Sequence, residues 1–167
     1  MAMTIEELNS LSKEAFVEAF GEIFEHSAWV AKKGYEKMPF SSLEIAFDTM
    51  KGIIETSSSD VQLALILEHP ELGKRIKMSD ASVEEQGSVG LDNLSPEDFA
   101  VFTEMNKRYM DKFQFPFIIA VRGKSKDDIL ESMKERVNLS KEEEFERALQ
   151  EIYKIAKLRF DVITQAN

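Results

Sequence analysis

Apolar residues recur along this chain at three- and four-residue intervals, each run opening on a serine. In LSKEAFVEAFGEIFEH, Ser12 stands where an N-cap belongs, with Leu11 and Phe16 at hydrophobic-staple positions. Phe16, Ala19, Phe20 and Ile23 then form one stripe, which predicts an amphipathic helix. After a loop around KKGYEKMPFSS, Ser41 or Ser42 can cap a helix with Leu43, Phe47, Met50 and Ile54 inward. Further starts follow at Ser58, Ser125 and Ser140, the last with Glu143 in capping-box spacing. Ser95 as N-cap, Pro96 at N1 and Asp98 at N3 make a strong start signal for SPEDFAVFTEMNKRYMDKF.

One stretch breaks the helical period. FQFPFIIAVRG is apolar, contains Pro116, and is short, so it reads as extended backbone with no obvious strand partner elsewhere. The expected fold is therefore all-α: a single-domain helical bundle over residues 1–167 with one buried extended segment near residues 113–121. The polar stretch MSDASVEEQGSVGLDN, with Gly87 and Gly90, reads as the long connection, the kind of segment where function concentrates.

Composition narrows the function classes. At 167 residues, 43% hydrophobic and 31% charged, the chain can bury a core of its own. A net charge of −10 disfavours nucleic acid as a partner. No apolar run reaches the roughly 20 residues of a membrane span, and the acidic start MAMTIEELNS does not resemble a secretion signal. With no cysteine and two histidines, disulfides, thiolate nucleophiles and a transition-metal site are not expected. Gly-rich phosphate loops, HExxH and GxSxG are absent.

Three places can carry chemistry. His69 precedes Pro70, which pushes it out of the α region, so a helix should end at or near it. His69 is then either a structural C-terminal histidine or a fixed imidazole fit for proton transfer; His26 has the weaker case. In the last helix, Phe145, Ala148, Leu149, Ile152, Ile155, Ala156 and Ile163 share one face, with Arg159 near its middle and Arg147 outside it. A core-facing guanidinium needs a partner: a buried carboxylate, solvent reached by snorkelling, or an anionic ligand. In SVEEQ, Ser82 and Glu85 have capping-box spacing, and Glu85 and Gln86 would project from a first helical turn, where they can address a bound molecule.

EHSAWVA, HPELG, SVEEQGSVGL, MNKRYMDKFQFPFIIAVRG and ALQEIYKIAKLRF occur in this order. Together, from about Leu8 to Ile163, they closely resemble the OHCU decarboxylase family, which converts 2-oxo-4-hydroxy-4-carboxy-5-ureidoimidazoline (OHCU) to S-allantoin in urate degradation. The resemblance implies an all-α domain, usually a homodimer, needing no cofactor or metal. It assigns His69 and Glu85 as catalytic, and Pro70, Ser82, Gln86, Arg159 and the backbone of Phe117, Ile118 and Ile119 as substrate-binding. It departs at Ala28, where many members have proline, and at Gln114, which replaces a usual glycine. Some bacterial members are fused to a urate oxidase, so fusion to or cooperation with that enzyme is a further expectation. The ending Gln165-Ala166-Asn167 lacks a Ser-Lys-Leu-type peroxisomal signal and points to the bacterial cytoplasm. Two readings stay open beside this one: a decarboxylase of a related ureido or imidazoline acid, and a non-catalytic helical interaction module.

Overall fold

Serine hydroxyls start most of the helices in a computed structural model that describes residues 2–72, 85–87, 90–91 and 94–165. The helices are α1 (Ile5–Asn9), α2 (Lys13–Phe20), α3 (Trp29–Tyr35), α4 (Leu43–Glu55), α5 (Ser59–Leu67), α6 (Pro96–Phe113), α7 (Lys126–Arg136) and α8 (Lys141–Thr164). Ser12, Ser42, Ser58, Ser95 and Ser125 each accept from the backbone N–H three residues on. Ser140 and Glu143 close a reciprocal box at α8 (3.1 and 3.3 Å). Each such cap is worth about 1 kcal/mol against alanine. No strand occurs among the described residues, so the all-α expectation holds.

The sequence pattern missed two helices and overextended a third. α1 is short, but Thr4 and Glu7 give it a full capping box. α3 lies partly in the stretch read as loop and starts from Ala28 without a side-chain cap. α2 ends at Phe20, so Ile23 is buried from a turn and not from the helical stripe.

The chain forms two compact units. In the first, comprising the residues up to Glu68 and those from Tyr153 onward, the core is aromatic. Phe20 meets Phe16 (5.0 Å between centroids) and Phe160 (5.2 Å), and Phe160 also meets Phe47 (5.5 Å). α3 packs on α2 and α4. Gly34 permits the close approach to α4, because a β-carbon there would lie 2.8 Å from Met50 Cγ. The Asn9 amide pins Phe40 twice, donating to its carbonyl and accepting from its N–H at 2.8 Å each.

The second unit, His69–Ile152, contains α6, α7, the first half of α8 and the non-helical segment after α6. α6 packs on α7. Tyr109 packs at a tilt on Phe113 (4.5 Å) and meets Phe117 edge-on (5.2 Å), and Phe115 meets Phe145 (6.2 Å). Burying side chains of this size contributes about 1.5–3 kcal/mol each. Lys112 Nζ donates to the carbonyls of Val137 (2.6 Å) and Leu139 (3.0 Å), satisfying acceptors after α7.

Gln114 ends α6 in the left-handed region, at φ 64° and ψ 25°. This is the conformation for which glycine is favoured. Gln114 Nε2 donates to the Asp111 carbonyl (2.8 Å), recovering part of the strain. Gln114→Gly should raise stability by about 1 kcal/mol, read as a higher urea midpoint at unchanged m-value. A lower midpoint would mean that the bond to Asp111 outweighs the backbone strain.

Candidate active site

α5 closes at Leu67, and His69 follows two residues later, as the proline rule requires. Its side chain is buried, at 6% exposure, while Pro70 is half-buried. Asn106, on α6 and itself 2% exposed, donates from Nδ2 to the Leu72 carbonyl (2.8 Å). That bond fastens the chain three residues beyond the imidazole. It also fixes the amide orientation, since only the NH2 side can face a carbonyl. Nothing in the local pattern marks Asn106 for this task; its partner is 34 residues away.

Glu85, Gln86 and Gly87 form a single helical turn. Gln86 is buried and its carbonyl accepts from Leu91 N–H (2.9 Å), while Glu85 is half-buried. Ser82 lies outside the described residues, so its capping role is not part of this geometry.

The segment after Gln114 is buried from Phe115 to Val121 and is neither helix nor strand through 116–120. Its carbonyls and N–H groups have no ladder partner among the described residues, and side chains meet two of them. Arg136 Nη1 donates to the Ile118 carbonyl (2.7 Å), and Glu151 Oε1 accepts from Ala120 N–H (3.0 Å). Among the described residues, none accepts from the N–H groups of Phe117, Ile118 or Ile119. A buried donor left without an acceptor costs about 1–3 kcal/mol, so such a trio is a place where a ligand's acceptors are favoured.

Arg136 is itself held. Its Nε donates to both carboxylate oxygens of Glu144 (2.9 and 3.1 Å), and its guanidinium lies 4.2 Å over the Phe117 ring. Nη2 sits 2.8 Å from Glu144 Oε1 as an ion pair but is not aligned for a hydrogen bond. Tyr109 donates its hydroxyl to the same carboxylate. Burial, and then the hydrogen bond to Glu144 and its negative charge, push the Tyr109 phenol far above its usual range.

Arg159 belongs to the other unit. It is 7% exposed, and Nη1 donates to Glu25 Oε1 (3.1 Å) and to the Glu22 carbonyl (3.0 Å). Of the partners foreseen for it, the buried carboxylate is therefore present: Glu25 is 0% exposed. Glu25 sits in the EHSAW stretch, beside His26, whose ring is partly exposed and 3.7 Å from the same carboxylate. No group of three or more His, Asp or Glu among the described residues is placed to hold a metal ion, and no helix among them is long and apolar enough to cross a membrane.

Comparison with known proteins identifies the family. A family model described as OHCU decarboxylase matches residues 9–161. The 2-oxo-4-hydroxy-4-carboxy-5-ureidoimidazoline decarboxylase of Halalkalicoccus jeotgali is 43% identical over 97% of this chain and 92% of its own length. The Bacillus subtilis uric acid degradation bifunctional protein PucL is 42% identical over 97% of this chain but only 33% of its own length. Among solved structures, the crystal structure of (S)-allantoin synthase superposes with a TM-score of 0.81 at 29% identity, covering 98% of this chain and 54% of that one. An OHCU decarboxylase crystallised in the presence of (S)-allantoin gives 0.73 at 25%, covering 87% and 97%.

The raised Tyr109 pKa makes a prediction about pH. The folded state favours the neutral phenol, so this contribution to stability is present below pH ~10, the ordinary tyrosine value, and is lost as pH rises above it. Of the three tyrosines, one should stay un-ionised in alkaline difference spectra at 295 nm until the protein unfolds. Tyr109→Phe should remove that late step; its persistence in the variant would assign it elsewhere.

Proposed function

Because this chain belongs to the OHCU decarboxylase family, we propose that it decarboxylates OHCU to S-allantoin in urate degradation, with His69 as its proton-transfer group. The observation that carries the catalytic reading is the buried His69 held between a helix end and the Asn106–Leu72 bond.

The substrate carries a hydroxyl and a carboxylate on one ring carbon, beside a C=N bond. When the carbon–carboxylate bond breaks, CO2 leaves and its electron pair flows into that C=N, so the substrate supplies its own electron sink. His69 takes the hydroxyl proton, and the enol-like intermediate becomes a ring carbonyl as one proton is added to the neighbouring carbon and a second, taken up from solvent, to the former C=N nitrogen. Delivery to one face sets the S configuration. Glu85 orients the imidazole and holds ureido N–H groups, with Gln86 and Ser82 adding hydrogen bonds and Pro70 stiffening the backbone. The backbone of Phe117, Ile118 and Ile119 lines the substrate, and the N–H groups of Phe117 and Ile119 serve its ring carbonyls and the developing negative charge. Arg159 takes the role of the family's C-terminal-helix arginine in substrate binding.

The bifunctional uric acid degradation proteins of Bacillus subtilis and Bacillus sp. suggest that the enzyme works beside a second urate-pathway activity. We place it in the cytoplasm, as a homodimer.

General acid–base catalysis supplies about 10²–10⁴-fold in rate. His69→Ala should lose that much in the circular-dichroism assay for S-allantoin, run on urate with urate oxidase and hydroxyisourate hydrolase, while its far-UV spectrum stays native. A folded His69→Ala protein at full activity would remove the imidazole from the mechanism. A folded wild-type chain that leaves the time course at its protein-free rate would remove the decarboxylase reading itself.

A further inference from the structure

We propose that Arg136 and Glu151 are positioning residues that hold the backbone of residues 117–120 so that the N–H groups of Phe117 and Ile119 face the substrate. The proposal rests on the reading of the site given above, and it concerns residues that make no contact with the reacting atoms.

Two buried carboxylates, Glu144 (0% exposed) and Glu151 (1%), stand seven residues apart on α8. Seven residues is two helical turns, so both project from one face. Each reaches the same short segment. Glu151 accepts directly from Ala120 N–H (3.0 Å). Glu144 acts through Arg136, whose Nε is spent on the carboxylate and whose Nη1 is thereby aimed at the Ile118 carbonyl (2.7 Å). Tyr109 tightens the arrangement by donating to Glu144, and the Phe117 ring lies under the guanidinium.

The two anchored groups are two residues apart. In extended backbone, the N–H and C=O of one residue point to the same edge, and those of the next residue point to the opposite edge. Extended backbone is what the sequence predicts for this stretch, and with the Ile118 carbonyl and the Ala120 N–H both bonded to α7 and α8 side chains it turns the polar groups of Phe117 and Ile119 the other way. The clamp thus converts a segment with no sheet neighbour among the described residues into a fixed pair of outward donors. A guanidinium suits this role better than an ammonium, because its planar fork serves a carboxylate and a carbonyl at once. Arg147, which bonds the second oxygen of Glu151 (3.3 Å), is exposed and only steadies that carboxylate.

Three variants test the clamp. Glu151→Met removes the acceptor for Ala120 N–H and leaves an apolar side chain of similar length. Arg136→Lys keeps a cation beside Glu144 but cannot fork to Ile118. Each should reduce kcat/KM by about 10- to 100-fold, the scale expected when backbone donors are misaligned, and weaken (S)-allantoin binding in calorimetry by about tenfold. Glu151→Gln, whose Oε1 can still accept, should stay within about threefold of wild type. A purely structural role would lower the melting temperature of all three without this split between Gln and Met. In 15N spectra of the wild-type protein, (S)-allantoin should shift the amides of Phe117 and Ile119 more than that of Ala120. If Glu151→Met fails to fold, Arg136→Lys and the amide shifts still decide the matter. Folded Glu151→Met or Arg136→Lys protein with wild-type kcat/KM and allantoin affinity would overturn the clamp alone. A wild-type chain that neither decarboxylates OHCU nor binds (S)-allantoin would overturn the parent reading and this role with it.

Discussion

A buried stretch of non-helical backbone inside an all-helical protein has to find its hydrogen bonds from side chains. That constraint organises the second unit. Sheets answer it with a ladder and helices answer it internally; residues 115–121 have neither among the described residues. The Arg136–Glu144 pair is the local solution. Such a pair is a poor source of net stability, since desolvating two charges roughly cancels their attraction. Its value lies in geometry. Glu144 gathers Tyr109 and Arg136, Arg136 gathers the Ile118 carbonyl, and the aromatic cluster of Tyr109, Phe113, Phe115 and Phe117 closes around them. Removing one member would strand a charge in a dry interior, at a cost of about 3–5 kcal/mol.

What the sequence made legible follows the range over which each signal acts. Caps are local, and every serine start within the described residues is a helix start. The break at His69 and the non-helical character after α6 were readable from Pro70 and Pro116, because proline acts on its immediate neighbour. Arg159 stood out because a charge interrupts an apolar stripe. The same stripe misled where the interruption looked like its edge. Glu144 and Glu151 lie on the buried face of α8, while Phe145, Ile155 and Ile163 are only half-buried. Reading the face from apolar residues rotates it away from the two carboxylates that matter most to the neighbouring backbone. Their partners, 8 and 31 residues distant in sequence, become neighbours only on folding. α3 was missed for a related reason: Ala28 offers no cap, and packing on α2 and α4 stabilises the helix instead.

The candidate site shows the same division. The sequence alone marks His69, Gln86 and Arg159, and all three are buried. Asn106 and Glu25 were not, although each fixes one of those features or the chain beside it. An asparagine amid MNKRY and a glutamate in EHSAW look like ordinary surface residues. Only tertiary contact shows that one holds the Leu72 carbonyl and the other holds a guanidinium.

The charge arithmetic of the site bears on how it can work. The whole chain carries −10, and the substrate is itself an anion. Among the described residues two buried arginines could be expected to compensate, but each is matched by a fully buried glutamate, Arg136 by Glu144 and Arg159 by Glu25. These pairs add little net positive charge. On the proposed reading, what remains for recognition is oriented dipoles, the backbone N–H groups foremost. That suits a decarboxylation. A strong unpaired cation on the carboxylate would stabilise the ground state at least as much as the transition state and so would not raise kcat. As the bond to CO2 breaks, the charge leaves the carboxylate and spreads over the ring, and fixed N–H donors along the ring's path gain strength as that happens. A site built from neutralised ion pairs and clamped backbone can favour the departing charge distribution over the arriving one, which is the difference that catalysis needs.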